Sequence, residues 1–564
     1  MVSDSQISKK TKLKKIEEIA RAAGIPKKYL EPWGRHKAKI GLNFFRTVEN
    51  RRDGNYVVVS AITPTPLGEG KTVTSIGLSM ALNKLGPTSI ACLRQPSMGP
   101  VFGTKGGGTG GGFSQVLPRE DINLHFTGDI HAVGVANNLL AAFIDNSLYR
   151  KNRLAIDPRT ISWRRALDIN DRTLREIKIG LGSSGNGITR RDGFDITVAS
   201  EVMAILALSK NIQDMRKRLG NIVIGYTKKK KPVTAEDLNV AGAMAALLKD
   251  AIKPNLVQTT ENTPCFVHTG PFANIAHGNS SVIADMIALK TADYVITEAG
   301  FGADLGAEKF FNIKCRESGL TPNACVIVCS IRALKMHSGH FRIKGRNLDK
   351  RLFKENLKAV NEGCSNLQRQ IKNVLTHGIP VVIAINRFDS DTDREISLVR
   401  KRSIFSGASG AVVSEVYKYG SGGGLKLAKA VINTCRKSSS RFKYLYSENS
   451  SIKSKIEKIA TTIYGAGRVT YQAAADKKIR MAERSGYGRL PICIAKTHLS
   501  LSPDAAIKGA PHGFTLPVRD IHISVGAGFV TVICGTIRTM PGLPAKPIGM
   551  DVDIDGKGHV KGLS

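Results

Sequence analysis

Lys71-Thr72 follows directly on Gly68-Glu69-Gly70, and all five come after the apolar run Val57-Val58-Val59-Ser60-Ala61-Ile62. Lysine brings a movable positive charge and threonine a hydroxyl able to hold a hydrated cation. Amides of a glycine-punctuated loop can converge on an anion. Buried strand, loop, then helix start is the order in which a chain cradles nucleotide phosphates, and the helix N-terminus adds a favourable dipole. Val73, Ile76, Met80 and the pair Lys84-Leu85 follow a spacing of three to four residues, so a helix is predicted from Lys71 onward. Thr65 stands where the usual pattern has a glycine five residues before Gly70. The alternative is a tight strand-to-helix turn whose glycines serve only steric needs. The flanking strand and helix favour the phosphate reading. It takes in Thr65, Pro66, Leu67, Gly68, Glu69, Gly70, Lys71 and Thr72, with Thr72 on Mg²⁺.

Other loops carry chemistry-bearing residues after apolar runs. Ser89-Ile90-Ala91-Cys92-Leu93 leads into Arg94-Gln95-Pro96, and then into a run with six glycines among the seven residues 106–112. Glycine so dense forms poor helix or strand, and suits a backbone that must approach a ligand. Arg94 and Lys105 flank it and favour an anion pocket over a linker, since a guanidinium grips a carboxylate or phosphate bidentately. His125, Asp129 and His131 fall within one short segment as candidates for metal ligation or proton transfer, or as structural groups. His268 opens a loop of small and polar residues that runs to Ser281. Asn386-Arg387-Phe388-Asp389 closes the run Val381-Val382-Ile383-Ala384-Ile385, where Asn386 could meet a base edge and Phe388 could stack or be core.

The elements that must position these loops are apolar strands alternating with helical patterns. Strand-like runs at 221–226, 294–297 and 381–386 are separated by helical ones at 196–208 and 238–248. Such alternation predicts a parallel sheet covered on both faces, with ligands at the carboxyl ends of its strands. The fold class expected is α/β, a P-loop NTPase-like parallel sheet with smaller α/β domains toward the C-terminus. The expected divisions are 1–365, 366–485 and 486–564.

With 564 residues and a formal charge of +37, the chain is large and strongly basic. The Lys and Arg residues are spread along it rather than gathered into an arm, and aromatics are sparse. Nucleic acid is therefore not the expected partner. The surplus charge would draw in anionic small molecules. No apolar stretch approaches the length of a membrane span. Nine scattered cysteines without a Cys-x-x-Cys pair fit a reduced, cytoplasmic setting and not a zinc site.

Taken in order, these loops resemble the formate–tetrahydrofolate ligase family over essentially the whole chain, from Leu30-Glu31-Pro32-Trp33-Gly34 to Met540-Pro541-Gly542-Leu543-Pro544. The most specific pieces are 63–72, 94–112, 123–129, 193–201, 270–281 and 489–497. The resemblance implies ATP-dependent ligation of formate to tetrahydrofolate through formyl phosphate. Lys71 and Arg94 would act on the transferring phosphate and the formate. Asp129 and His125 would handle the proton lost from N10, with His268 a further polar candidate. Phe388 and Tyr417 would sandwich the pterin. It further implies ATP with Mg²⁺, a role for a monovalent cation, a tetrahydrofolate with or without a polyglutamate tail, and a homotetramer. Two departures stand out: Tyr417 where Trp is typical of bacterial members, and Gln95 where many carry Glu. A phosphate-loop ATPase switching a partner protein, and a degenerate member of the family, are the alternatives.

Overall fold

A computed structural model describes residues 3–105, 107–341, 348–437 and 440–563, so Gly106 of the glycine-rich run lies outside the described residues. Seven parallel strands form the heart of the large sheet: β1 (Asn55–Ala61), β2 (Ser89–Leu93), β3 (Pro264–Val267), β4 (Tyr294–Glu298), β5 (Ala324–Cys329), β6 (Val381–Asn386) and β7 (Gly410–Ser414). Their spatial order is β3-β2-β4-β1-β5-β6-β7. Antiparallel strands Asn255–Thr259, Ala38–Ile40 and Leu30–Pro32 extend the β3 edge.

Strand residues alternate between two apolar layers, as a sheet buried on both faces requires. Val57, Val59 and Ala61 pack with Leu78 and Leu82 of helix α1 (Lys71–Lys84), and with Leu427 and Val431 of the helix Ser421–Lys437 that follows β7. Tyr56 and Val58 face the other way, toward Ile283, Ile287, Val360 and Leu367. A second core surrounds helix α2 (Asp129–Tyr149) and the helices that follow it up to residue 252. A third lies under the small sheet of β8 (Ile492–Ala495), β9 (Asp520–Ser524) and β10 (Phe529–Ile533).

The 20-residue helix Leu357–Thr376 is the crossover between β5 and β6, so the division placed at 365 falls inside one continuous sheet. The third core already includes Tyr446, Ile452 and Ile456, so the C-terminal unit begins well before 486. Among the described residues, no helix is long and apolar enough to cross a membrane.

Candidate active site

Loops leaving β1, β2, β4 and β6 meet at the carboxyl edge of the sheet, where the strand order reverses about β1 and β4. The β1 loop is closed on itself by Glu69, whose Oε1 accepts from the Thr65 amide at 2.8 Å and the Thr65 hydroxyl at 3.0 Å. Burial pushes the Glu69 carboxyl up, against the lowering pull of Lys71 and the Thr65 bonds. Thr65 also accepts the Leu67 amide, while Pro66 and Gly68 form the exposed tip. Gly70 must be glycine. Its φ is +81°, and a Cβ there would stand 2.6 Å from Asn386 Nδ2. The Asn386 amide donates to the Glu69 carbonyl at 3.2 Å and so braces the loop from β6.

Three cations converge behind that loop. Lys71 begins α1, and burial lowers its ammonium while Glu69 and Glu298 raise it and Arg94 lowers it further. Arg94, just beyond β2, lies with Nε 3.6 Å from Glu298 Oε1 and donates from Nη1 to the Pro271 carbonyl at 3.4 Å. Lys105 keeps accessible surface but is hemmed in by the cleft. Desolvation, then Arg94 and Lys71, push its ammonium down to about 8. Glu298 ends β4 nearly buried and accepts the Thr72 hydroxyl at 2.7 Å. Thr72 and Glu298 together suit a nucleotide-borne Mg²⁺, which takes one or two protein oxygens and completes its shell with phosphate and water.

The wall beside Arg94 is rich in polar atoms left without hydrogen bonds. Among the described residues, Arg94 Nε, both side-chain polar atoms of Gln95, Thr269 Oγ1, both ring nitrogens of His277 and Asn279 Oδ1 are all buried without a protein hydrogen bond. Burial, then Lys314, Lys309 and Arg94, hold His277 well below its usual value. Native interiors leave few such groups unsatisfied, and water or a polar ligand answers them. Thr269 (φ +53°) and Phe301 (φ +60°) also hold left-handed backbone on these loops, strain of the kind that gathers at functional sites.

Two expected acid–base residues are engaged elsewhere. Asp129 opens α2 and is buried against Lys39, whose Nζ donates to Oδ1 at 2.7 Å; Asn255 Nδ2 donates to Oδ2 at 2.7 Å. His268 is fully buried. Its Nε2 lies 2.7 Å from the Ala251 carbonyl and Nδ1 2.7 Å from Ser281 Oγ, so Nε2–H donates and Nδ1 accepts. Burial pushes this imidazole down to about 4 and leaves it neutral, with no nitrogen free for a substrate. His125, by contrast, is exposed. Near it, burial pushes the Asp168 carboxyl up, against the bonds it accepts from Ser97 Oγ at 2.6 Å and the Met98 amide at 3.0 Å on the loop after Arg94.

Phe388 and Tyr417 stand on the loops following adjacent strands β6 and β7, and an ion pair between Lys418 and Asp389 ties those loops together. Tyr417 is 43% exposed and its hydroxyl donates to Asp4 Oδ1 at 3.0 Å. Much of the glycine-rich run serves this side. The Gly112 amide donates to Asp4 at 2.9 Å, and a Cβ on Gly112 would sit 2.0 Å from the Tyr417 carbonyl. Gly108 donates to Asn123 Oδ1 at 2.9 Å.

The residue-by-residue reading missed Glu298 and His498. Glu298 ends a strand-like run already recognised, so the strand-end rule could have found it. His498 follows β8 and stacks on Phe301, with ring centroids 4.3 Å apart and planes 14° from parallel. Burial, then Lys496, Lys105 and Lys71, push it down to about 4, so the C-terminal unit supplies a neutral ring beside the cationic cleft.

A parallel α/β sheet whose strand-end loops set three cations around a buried glutamate belongs to the class of proteins that handle nucleotide phosphates. The sequence profile described as formate–tetrahydrofolate ligase matches residues 2–564. Proteins named formate–tetrahydrofolate ligase from Desulforamulus reducens and Saccharopolyspora erythraea are each 54% identical, over 562 and 563 residues, covering 100% of this chain and 99% of each relative. One from Roseiflexus castenholzii is 53% identical over 565 residues, 100% of both chains. The chain belongs to the formate–tetrahydrofolate ligase family.

Proposed function

We propose that this protein joins formate to tetrahydrofolate at the expense of ATP, giving 10-formyltetrahydrofolate, ADP and phosphate by way of formyl phosphate. The observation that carries the reading is the convergence of Lys71, Arg94 and Lys105 around Glu298. Phosphoryl transfer asks a protein for alignment and for neutralisation of charge spreading over the phosphate oxygens. In the first step a formate oxygen attacks the γ-phosphorus and ADP leaves. Lys71 and Lys105 neutralise the phosphates, and Arg94 holds the one-carbon carboxylate beside them. Thr72 and Glu298 would hold Mg²⁺, which supplies further charge neutralisation when bound with the nucleotide.

In the second step N10 attacks the formyl carbon, the C–O bond to phosphate breaks, and N10 loses a proton. His125, exposed beside Asp168, takes that role here, since Asp129 and His268 are fully engaged. The pterin stacks between Phe388 and Tyr417. The test mixes purified protein with ATP, Mg²⁺, formate and tetrahydrofolate and follows 10-formyltetrahydrofolate by its acid-generated absorbance. Product that depends on all three substrates is expected. ATP hydrolysis indifferent to formate and folate would overturn the reading in favour of a nucleotide switch.

A further inference from the structure

One face of the Phe388 ring is already covered. Arg332, the second residue of helix α3 (Ile331–His337), lays its guanidinium carbon 3.5 Å from the ring centroid. Among the described residues this guanidinium makes no hydrogen bond or ion pair, and its Nε is buried without an acceptor. Burial lowers its affinity for the proton and only the charge of Asp391 opposes that shift. Arginines usually direct their five donors at carboxylates or carbonyls. Here the flat face makes the contact and the donor edge stays idle. Among the described residues no carboxylate pairs directly with this half-buried cation; the charge of Asp391 and the ring quadrupole beneath it compensate, the latter more strongly because the contact is partly desolvated.

The rest of the stack is anchored independently. The Phe388 amide donates to Asp391 Oδ2 at 2.8 Å, and the Asp391 amide returns to the Phe388 carbonyl at 3.0 Å. After β7, Asp4 holds Tyr417 by its hydroxyl. Backbone bonds fix where the Phe388 side chain starts, and Arg332 fixes how its ring is turned.

We propose that Arg332 is a positioning residue for the pterin: it backs the Phe388 ring and leaves the opposite face as the stacking surface. This rests on the placement of the pterin at Phe388 in the preceding reading. A cation on one face draws π density toward itself and leaves the other face electron-poor. That face prefers the electron-rich tetrahydropterin ring over an oxidised one.

The full-length protein is assayed as Arg332→Met, Arg332→Lys, Phe388→Leu and the Arg332→Met/Phe388→Leu double variant. Arg332→Met is expected to raise KM for tetrahydrofolate about tenfold, with kcat and KM for ATP within about twofold. Arg332→Lys should recover part of the loss. The preference for tetrahydrofolate over folic acid, read as the ratio of their dissociation constants, should shrink in Arg332→Met. The double variant should be no worse than Phe388→Leu alone, because the effect passes through the ring. A penalty that persists in full on the Phe388→Leu background would overturn the proposal. So would one that vanishes with tetrahydropteroate, which lacks the glutamate and would make Arg332 a carboxylate ligand instead. A wild-type KM for tetrahydrofolate in Phe388→Leu would sink the pterin placement itself. A raised KM there with a wild-type KM in Arg332→Met would sink this proposal alone.

Discussion

Around Asp129 the strong donors and acceptors meet: Lys39 and Asn255 serve its two oxygens, Thr127 Oγ1 donates to Asn255 Oδ1 at 3.0 Å, and His268 has both nitrogens bonded. Around Arg94 the arrangement is the reverse. Among the described residues the Gln95 amide, the His277 ring and the Asn279 carbonyl oxygen are buried without a hydrogen bond, as is Arg94 Nε, which has only the longer approach to Glu298. Both clusters are polar, buried and built from strand ends of the same sheet. The difference is saturation. A saturated cluster rigidifies a core, whereas an unsaturated one requires water or a ligand. Residue type does not separate them, because each contains a histidine and a basic residue.

Substitutions can break this contrast. Lys71→Ala should lower kcat/KM for ATP by about a hundredfold or more, as loss of a transition-state charge partner does, while the melting temperature holds. A near-normal rate would remove Lys71 from the phosphate site. In the saturated cluster the consequence should reverse. Lys39→Met leaves Asp129 buried without its cation and should destabilise the fold by about 3–5 kcal/mol, with turnover per folded molecule little changed. Denaturant unfolding beside active-site titration checks both halves, and a stable but inactive variant would return Asp129 to catalysis.

Phe388→Ala should raise KM for tetrahydrofolate about tenfold and leave ATP binding untouched, since it removes a stacking face worth about 1–3 kcal/mol. Equal loss of both would assign the ring to the core. The smallest effect concerns pH. Lys105 is charged below about 8 and neutral above it, so kcat/KM for ATP should fall several-fold as pH rises through about 8. Lys105→Met should flatten that limb, and an unchanged profile would take Lys105 out of nucleotide capture.

The strand, loop and helix start around Lys71 were legible because their evidence is local: an apolar strand, glycines and Lys71-Thr72 lie within sixteen residues. The parallel sheet was legible from the same runs. The bonding of Asp129 and His268 was not legible, because their partners stand on other elements, Lys39 and Asn255 for one and Ala251 and Ser281 for the other. Burial pairing of that kind has no periodicity to read. Arg332 escaped for the same reason, since nothing near Ile331 announces an aromatic 56 positions away. The helix Leu357–Thr376 is amphipathic like any surface helix, and only strand pairing reveals it as a crossover inside one sheet.

The short helix Asp4–Lys10 has a practical bearing. A single carboxylate at its start holds both the Tyr417 hydroxyl and the Gly112 amide. A purification handle fused ahead of Ser3 would crowd that carboxylate and should loosen folate capture with ATP capture intact. A handle placed after the last residue should not.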